Sequence, residues 1–246
     1  MLDRFFRPAV ALALVLGYAT ISAVAAASGN PSVRYSYAWT VNDAPAGAWD
    51  VYVSGSRTSP NYWAGPHTHP GPEYGIYLEG TGARWNAGSG TTTTGPRGPF
   101  HTSGGLVHES GNISDGPVIS LTTHILTAGG PFNVPANPAP AEAPPGAAQL
   151  SQTLYRIKVP LADHPANPFP MTMEVLDFAG NSSVPAHAVT ATTLVVVVDG
   201  SLTATMGGAS KTYGIGDEIT VPPGVPIAVS NPNAYQATVV ATRLGQ

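Results

Sequence analysis

Short segments in which apolar and polar residues alternate run through most of the chain and restrict what it can fold into. Examples are VRYSYAWTV at 33–41, WDVYVSG at 49–55 and PVISLTTHILT at 117–127. A period of two places successive side chains on opposite faces, which is typical of β-strands with one buried face. Clusters of glycine, proline, serine and threonine separate the segments, as expected for turns. The pattern predicts an all-β fold, either a sandwich or a barrel.

The charge content narrows the class of partner. Charged residues make up only 10% of the chain, the formal net charge is -4, and the sequence contains no cluster of lysine and arginine. Nucleic acids and anionic membrane surfaces attract proteins through such clusters, so neither is expected as a partner. A small molecule that is neutral or weakly charged is the expected ligand.

Residues 1–27 have the features of a secretory signal peptide. Arg4 and Arg7 precede an apolar run over about 9–24, and small residues suited to cleavage follow at Ala25 and Ala27. An uncleaved membrane anchor is the alternative, but glycine, threonine and serine dilute the run. We therefore expect an exported protein, periplasmic or extracellular, with no membrane attachment once the signal is removed. The chain has no cysteine, which excludes thiolate metal sites and thiol catalysis.

A proline- and alanine-rich segment divides the remaining chain into two halves of similar length. The stretch GGPFNVPANPAPAEAPPGA at 129–147 is too rich in proline to maintain a sheet ladder. We expect it to run extended over the surface as a linker. The predicted organisation is a signal peptide at 1–27, a first domain at 28–128, a linker at 129–148 and a second domain at 149–246.

The two halves share sequence landmarks at a nearly constant spacing, which predicts an internal duplication of about 100 residues. The paired landmarks are Pro66-His67 with Ala186-His187 and Leu78-Glu79-Gly80 with Val198-Asp199-Gly200, offset by 120, and Gly105 with Gly224 and Asn112 with Asn231, offset by 119.

The stretch GPHTHPGPEYGIYLEG at 65–80 concentrates titratable side chains in a chain that has few of them. His67 and His69 are two residues apart, so on a strand both imidazoles point to the same face. The turn Pro-Gly-Pro then returns Glu73 with the same parity. A fourth group must come from elsewhere, and His108 in GGLVHES, at the start of a strand after a glycine turn, is the best candidate.

Three neutral imidazoles and a carboxylate suit one divalent first-row metal, with one or two positions left for water or substrate. The sequence does not identify the metal among iron, manganese, nickel, copper and zinc. The alternative is that each histidine is an ordinary core or surface residue and that Glu73 is a solvated carboxylate. Four such residues at this spacing favour the metal site.

Several other residues are candidates for the surroundings of this site. His124 lies in an alternating strand with parity opposite to its apolar neighbours, so it either points outward or lines the cavity. Glu109 follows His108 and could interact with a ligand as an outer partner. The remaining candidates for a substrate pocket are Tyr74, Tyr77, Trp85 and His101.

Two motifs carry a resemblance to the cupin superfamily. GPHTHPGPEYGIYLEG resembles the first cupin motif, with His67, His69, Glu73 and Gly80 in the pattern. GGLVHESGN resembles the second motif through its glycine, histidine and asparagine, although Ser103 stands where the motif usually has proline. GDEITVPPGVPIAVSN at 216–231 resembles the second motif again, so the resemblance covers both halves.

The resemblance implies a bicupin, two jelly-roll barrels of which only the first binds metal. In the second copy only His187 remains, because Val189, Thr193 and Ile227 stand at the positions of the other ligands. Association into a homodimer is common among similar proteins and is expected on that ground alone. Cupin motifs indicate fold and metal more strongly than they indicate a reaction.

We expect a metal-dependent oxidoreductase, most similar to quercetin dioxygenase-like cupins, that acts on a small oxygenated or phenolic molecule. In that type Glu73 could serve as a base if it leaves the metal. A non-catalytic binding or storage bicupin is the alternative. Oxalate decarboxylase or oxidase activity, or isomerase activity, is disfavoured, since germin-like proteins tend to have four residues between the second histidine and the glutamate and this chain has three.

Overall fold

The computed structural model describes residues 27–145 and 151–245. The expected signal peptide lies outside these residues except for Ala27, as do the last three residues of the expected linker. Within the described part of the chain, no helix is long and apolar enough to span a membrane.

Strands dominate the described residues, which confirms the predicted all-β class. The strands up to the end of the first half are β1 Ala27–Ser28, β2 Ser32–Val41, β3 Trp49–Thr58, β4 His67–Thr68, β5 Glu73–Glu79, β6 Gly82–Asn86, β7 Gly90–Thr94, β8 Pro99–Thr102, β9 His108–Asn112, β10 Val118–Thr127 and β11 Val134–Pro135. The strands of the second half are β12 Ser151–Leu161, β13 Phe169–Phe178, β14 Ser182–Ala188, β15 Thr192–Asp199, β16 Ser201–Met206, β17 Ala209–Gly214, β18 Glu218–Val221, β19 Pro226–Asn231 and β20 Ala237–Leu244.

These strands form four five-stranded sheets, two for each barrel. The first barrel consists of the sheets β12-β3-β10-β5-β8 and β11-β4-β9-β6-β7. The second consists of β18-β15-β20-β13-β2 and β1-β14-β19-β16-β17. The strand pairs within the sheets are antiparallel except β1 with β14.

The first long strand of each half belongs to the other barrel, which corrects the predicted domain limits. Strand β2 pairs with β13 of the second half, and β12 pairs with β3 of the first half. Alternation shows that each segment is a strand, but not which partner it pairs with. Each barrel therefore depends on a strand from the other half of the chain.

The predicted linker is also part of the first barrel. Val134 and Pro135 pair with Thr68 and His67. The expectation that this segment takes no part in a β-sheet is therefore wrong at these two residues. Strand β11 lies at the edge of its sheet, where a proline without an N–H group is tolerated. The linker thereby brings residues next to the histidine pair.

The turns of the two halves repeat one another, which supports the duplication. Gly105 and Gly224 both have positive φ, 76° and 78°, a conformation that favours glycine. Gly105 donates its N–H to the carbonyl of His69, and Gly224 donates to the carbonyl of Val189, at 2.9 and 2.8 Å. The second barrel therefore keeps the frame of the first and has Val189 in place of His69.

The central sheets of the two barrels pack against each other through apolar side chains. Val51, Val53 and Ile125 of the first barrel form one buried cluster with Met171 and Leu194 of the second. Val51, Val53 and Ile125 lie at odd positions of β3 and β10. The even positions of these two strands, which include His124, therefore face the interior of the first barrel. Both faces of these strands are buried, one inside the barrel and one between the barrels.

Candidate metal centre

Three histidines converge inside the first barrel. Strand β4 carries His67 opposite His108 of β9, and the imidazole of His69 follows directly after β4. Ring centroids are 4.5 Å apart for His67 and His108 and 5.0 Å apart for His67 and His69. One ligand atom from each of the three histidines lies within 4.8 Å of the others, and all three residues are buried. The spacing of two residues between His67 and His69 predicted that their imidazoles point to the same face, and in the structure they do.

The three imidazoles are oriented by the backbone. In each ring Nδ1 lies at hydrogen-bond distance from a carbonyl oxygen, which can only accept, so Nδ1 carries the proton and Nε2 keeps its lone pair. The pairs are His67 Nδ1 with Gly65 O at 2.7 Å, His69 Nδ1 with Phe132 O at 2.7 Å and His108 Nδ1 with Leu106 O at 3.0 Å.

Glu73, the first residue of β5, lies beside this histidine cluster. Its Oε2 is 3.3 Å from His108 Nε2 and 3.9 Å from His69 Nε2. Ligand atoms about 2.1 Å from one metal are roughly 3.0–3.5 Å from their neighbours, so the carboxylate is close enough to complete the set. His108 Nε2 is buried and has no hydrogen-bond partner, an unsatisfied lone pair that a cation would satisfy. The residues present therefore fit a divalent metal.

His124 forms a second potential metal group with His69 and Glu73. Its Nε2 is 3.6 Å from Glu73 Oε1, and its ring centroid is 4.5 Å from that of His69. Strand pairing places His124 directly opposite Glu73. Of the two orientations that the sequence left open for His124, the structure has the inward one. The two groups share His69, so the cluster has more donors than one four-coordinate ion requires.

Arg84 is a functional candidate that the sequence analysis missed. This buried residue of β6 makes a bidentate ion pair with Glu73 through Nη2–Oε2 and Nη1–Oε1, the latter at 3.4 Å. It also donates to Thr102 Oγ1 and, at 3.1 Å, to Ser110 Oγ. Two features of the sequence could have identified it. The arginine of ARW has the parity of an inward-facing residue, and the chain contains few charged residues.

Burial and neighbouring charges act in opposite directions on the carboxyl group of Glu73. Burial raises its pKa, but the guanidinium of Arg84 lowers it, and the net effect is a lowering. The pKa of Glu73 therefore lies well below its usual range. Burial lowers the pKa of His67 to about 4 and also lowers the pKa of His69 and His124. At neutral pH these three imidazoles are neutral, the form that binds metal.

The cavity at this cluster is small, and its lining is polar and apolar in similar measure. Its volume is about 140 Å³. Hydroxyl-bearing residues of β3 and β10 line one wall, and the exposed Arg156 of β12 lies at its mouth over the ring of Phe132. Phe132, from the predicted linker, also contacts His69 and His124 edge-on or tilted. Two segments assigned by sequence outside the first domain thus complete its cavity.

The predicted pocket residues divide into two groups. Tyr77 lines the cavity with a buried hydroxyl that has no partner, and burial raises its pKa to about 12. Tyr74 lies on the opposite face of β5, where it packs against Trp39 and stacks on His101. Both Tyr74 and His101 are therefore outside the cavity, which corrects their assignment.

Trp85 and Glu109 are also corrected by strand parity. On β6 Arg84 faces the interior, so the buried Trp85 faces the other way and does not line the cavity. On β9 His108 faces inward, so Glu109 points away from the metal candidates. Its carboxylate is buried, and burial raises its pKa. Glu109 is therefore not an outer partner of the histidines.

The depressed histidine pKa values predict that the metal-free protein loses stability in mild acid. Below the ordinary pKa of 6.5 the unfolded chain binds protons that the buried imidazoles do not. The stability is therefore complete above pH 6.5 and falls as the pH decreases towards 4, by about 3 kcal/mol at pH 4 for His67 alone.

Urea unfolding of chelator-treated protein between pH 7.5 and 4 measures this loss. The variant His67→Asn should have a shallower pH dependence than the wild type, and the variant of the exposed His187, His187→Asn, should not. A wild-type stability that does not change from pH 7 to 4.5 would contradict the assignment.

Structural comparisons show the fold and its relatives. No family model matches the sequence, and no curated protein matches it. AerE from Microcystis aeruginosa is similar at a TM-score of 0.55 and 12% identity, over 85% of this chain and 99% of that one. Oxalate decarboxylase from Bacillus subtilis is similar at a TM-score of 0.58 and 12% identity, over 88% of this chain and 74% of that one. These structures have the cupin fold, and at this identity the likeness extends to fold alone.

Proposed function

Because this chain has the two-barrel cupin fold, we propose that its first barrel binds one divalent first-row metal and serves a metal-dependent oxidoreductase reaction of the dioxygenase type. His67, His69 and His108 would hold the ion, with Glu73 as fourth ligand. The observation that carries the proposal is the backbone fixation of Nδ1 in all three rings, which leaves three Nε2 lone pairs directed at one point. A bound metal would supply a Lewis-acidic and redox-active centre.

The cavity supports a small, oxygen-rich substrate. A cavity of roughly 150 Å³ takes one benzene-sized molecule, so 140 Å³ favours a substrate of about that size over a three-ring flavonol. Serine and threonine hydroxyls, Tyr77 and Arg156 are available to bind carboxylate, enolate or phenolate oxygens. A small diketone, a catechol-sized phenol or a dicarboxylate fits these limits.

The ion pair with Arg84 restricts what Glu73 can do. A carboxylate with a strongly depressed pKa is a weak base, so the idea that Glu73 accepts a substrate proton is disfavoured. Its supported roles are to ligate the metal and to hold Arg84 in the cavity wall. The guanidinium of Arg84 is itself held by the hydrogen bonds that it donates to Thr102 and Ser110.

A non-catalytic small-ligand-binding or storage function is the second candidate, and the same ion pair favours it. Arg84 already neutralises Glu73, so the cluster is stable as a fixed binding site without a reactive base. Such a protein would retain metal and bind a small anion without turnover. Export of the protein, expected from residues 1–27, and association into a homodimer belong to either proposal.

A substrate panel distinguishes these candidates. Metal-loaded protein is tested with acetylacetone, catechol, oxalate and the flavonol quercetin, while O2 uptake and CO2 release are recorded. We expect O2 uptake with acetylacetone or catechol and none with quercetin. CO2 release from oxalate without net O2 uptake would indicate a decarboxylase instead, the activity named for the similar Bacillus subtilis structure. Tight metal retention with no turnover of any compound would support the binding function.

A further inference from the structure

The interior of the second barrel contains a larger cavity than the first. Its volume is about 390 Å³. Its walls come from both sheets of the barrel and are formed by apolar side chains. These residues are Leu176, Phe178, Val184, Val189, Val195, Leu202, Ile219, Val221, Ile227, Val229, Val239 and Ala241. Native protein interiors have few voids larger than a water molecule, so an apolar space of this size suggests an occupant.

This cavity occupies the place that the metal cluster occupies in the first barrel. The pairing of His187 with Ile227 repeats that of His67 with His108. The exposed His187 is a rim residue, and Ile227 closes the wall where the first barrel has an imidazole. The frame is therefore the same, whereas the chemistry of the lining has changed from partly polar to mostly apolar.

We propose that the second barrel is a binding site for an uncharged, apolar small molecule. The lining contains few polar side chains: two of them, Thr193 and Arg243, are already engaged, and the other two, Asn30 and His187, are exposed to solvent, which disfavours a charged ligand inside the cavity. Thr193 donates its hydroxyl to the carbonyl of Ala191 at 3.0 Å. Arg243 is engaged in an ion pair with Glu174. Burial of an ionised ligand head among the apolar walls would cost free energy that apolar side chains do not offset.

The volume sets the size of the ligand. Since roughly 150 Å³ accommodates one benzene, 390 Å³ accommodates a molecule of two to three rings, about 12–18 non-hydrogen atoms. Among the apolar side chains of the walls, Phe178 is aromatic and the others are aliphatic. Recognition therefore depends on shape and on exclusion from water, and several hydrophobic compounds of this size should compete for the site.

The beginning of the described chain forms part of the cavity wall. Strand β1 pairs with Ser182 and Ser183 of β14, and Gly29 donates its N–H to the carbonyl of Ser183 at 3.1 Å. Asn30 and Pro31 then line the cavity. A segment from the first half of the chain thus narrows the space into which the ligand fits.

The test uses N-phenyl-1-naphthylamine, an uncharged two-ring-plus-phenyl fluorophore whose emission rises in apolar surroundings. The wild type should bind one equivalent saturably, with a Kd of about 1–100 µM, the range expected for an apolar ligand of this size. Val195→Phe and Val229→Phe fill the cavity from opposite sheets, and each should weaken binding at least tenfold. Thermal unfolding shows whether each variant remains folded, and either folded variant is sufficient for the test.

Two controls locate the probe. Val33→Phe adds the same ring at an exposed position of β2 and should leave the affinity unchanged. His108→Ala alters the first barrel and should also leave the affinity for the probe unchanged. The test of the second barrel therefore does not depend on the proposed metal chemistry of the first. The absence of saturable binding to the wild type, or unchanged binding in a folded Val195→Phe or Val229→Phe protein, would overturn the proposal.

Discussion

Replacement of His108 by alanine is expected to weaken metal binding by more than 100-fold. The loss of one outer hydrogen bond to a metal ligand typically costs 10–100-fold in affinity, and His108 supplies an inner ligand atom. Its Nε2 is the buried atom of the three histidines that has no hydrogen-bond partner, so it is the atom whose environment changes most when an ion binds. Isothermal titration of chelator-treated protein with Zn²⁺ and with Mn²⁺ measures the effect.

Two further histidine variants determine where the ion lies. His187→Ala, in the second barrel, should bind metal like the wild type, because His187 lies exposed at the rim of the apolar cavity. His124→Ala should retain metal if the ion lies on the group of His67, His69 and His108. Loss of binding in His124→Ala with retention in His108→Ala would move the ion to the group of His69, Glu73 and His124.

Arg84→Met is expected to destabilise the metal-free protein by about 3–5 kcal/mol. Removal of one partner from a buried ion pair leaves the other charge uncompensated, and Glu73 has no other cationic side chain at this distance among the described residues. A bound divalent ion would replace part of the lost positive charge. The loss should therefore be smaller in metal-loaded protein, and urea unfolding with and without metal measures both values.

Matched variants separate the charge effect from the change in packing. Arg84→Met combined with Glu73→Gln removes both charges and should recover part of the stability lost in the single variant. Arg34→Met breaks the more exposed pair with Asp177 and should cost at most about 1 kcal/mol. A loss below 1 kcal/mol in metal-free Arg84→Met would show that Glu73 does not depend on this arginine.

Local sequence patterns were sufficient for the class of fold and for the core of the candidate site. The period of two identified the strands, and the spacing of His67 and His69 predicted their common direction. The repeated landmarks identified the duplication, and the turns at Gly105 and Gly224 show it in the backbone. Leu106 donates its N–H to the carbonyl of Ser103, so the turn forms although proline is absent there.

The period of two could not distinguish the two buried faces of one strand. In β5 both Tyr74 and Tyr77 are buried, but Tyr77 lines the cavity and Tyr74 packs on the outside against Trp39. Strand β10 has the same ambiguity, because its odd positions pack between the barrels. The orientation of His124 therefore became evident only when the packing of the second barrel was known.

Local sequence patterns also could not predict the contacts between distant parts of the chain. The exchange of β2 and β12 between barrels brings Arg156 to the mouth of the first cavity. The edge strand β11 brings the carbonyl of Phe132 to His69. Pairing partners depend on the packing of the whole molecule, whereas alternation reports only the local burial of one segment.

Elemental analysis is the most direct test of the central claim that His67, His69 and His108 of the first barrel form a metal centre. Wild-type protein and the variants His108→Ala and His187→Ala are exposed to a mixture of first-row divalent metals and freed of unbound ions by gel filtration. We predict about one equivalent of a single metal per chain in the wild type and in His187→Ala, and less than a tenth of an equivalent in His108→Ala. Metal-free wild type, or equal metal content in the wild type and His108→Ala, would contradict the claim.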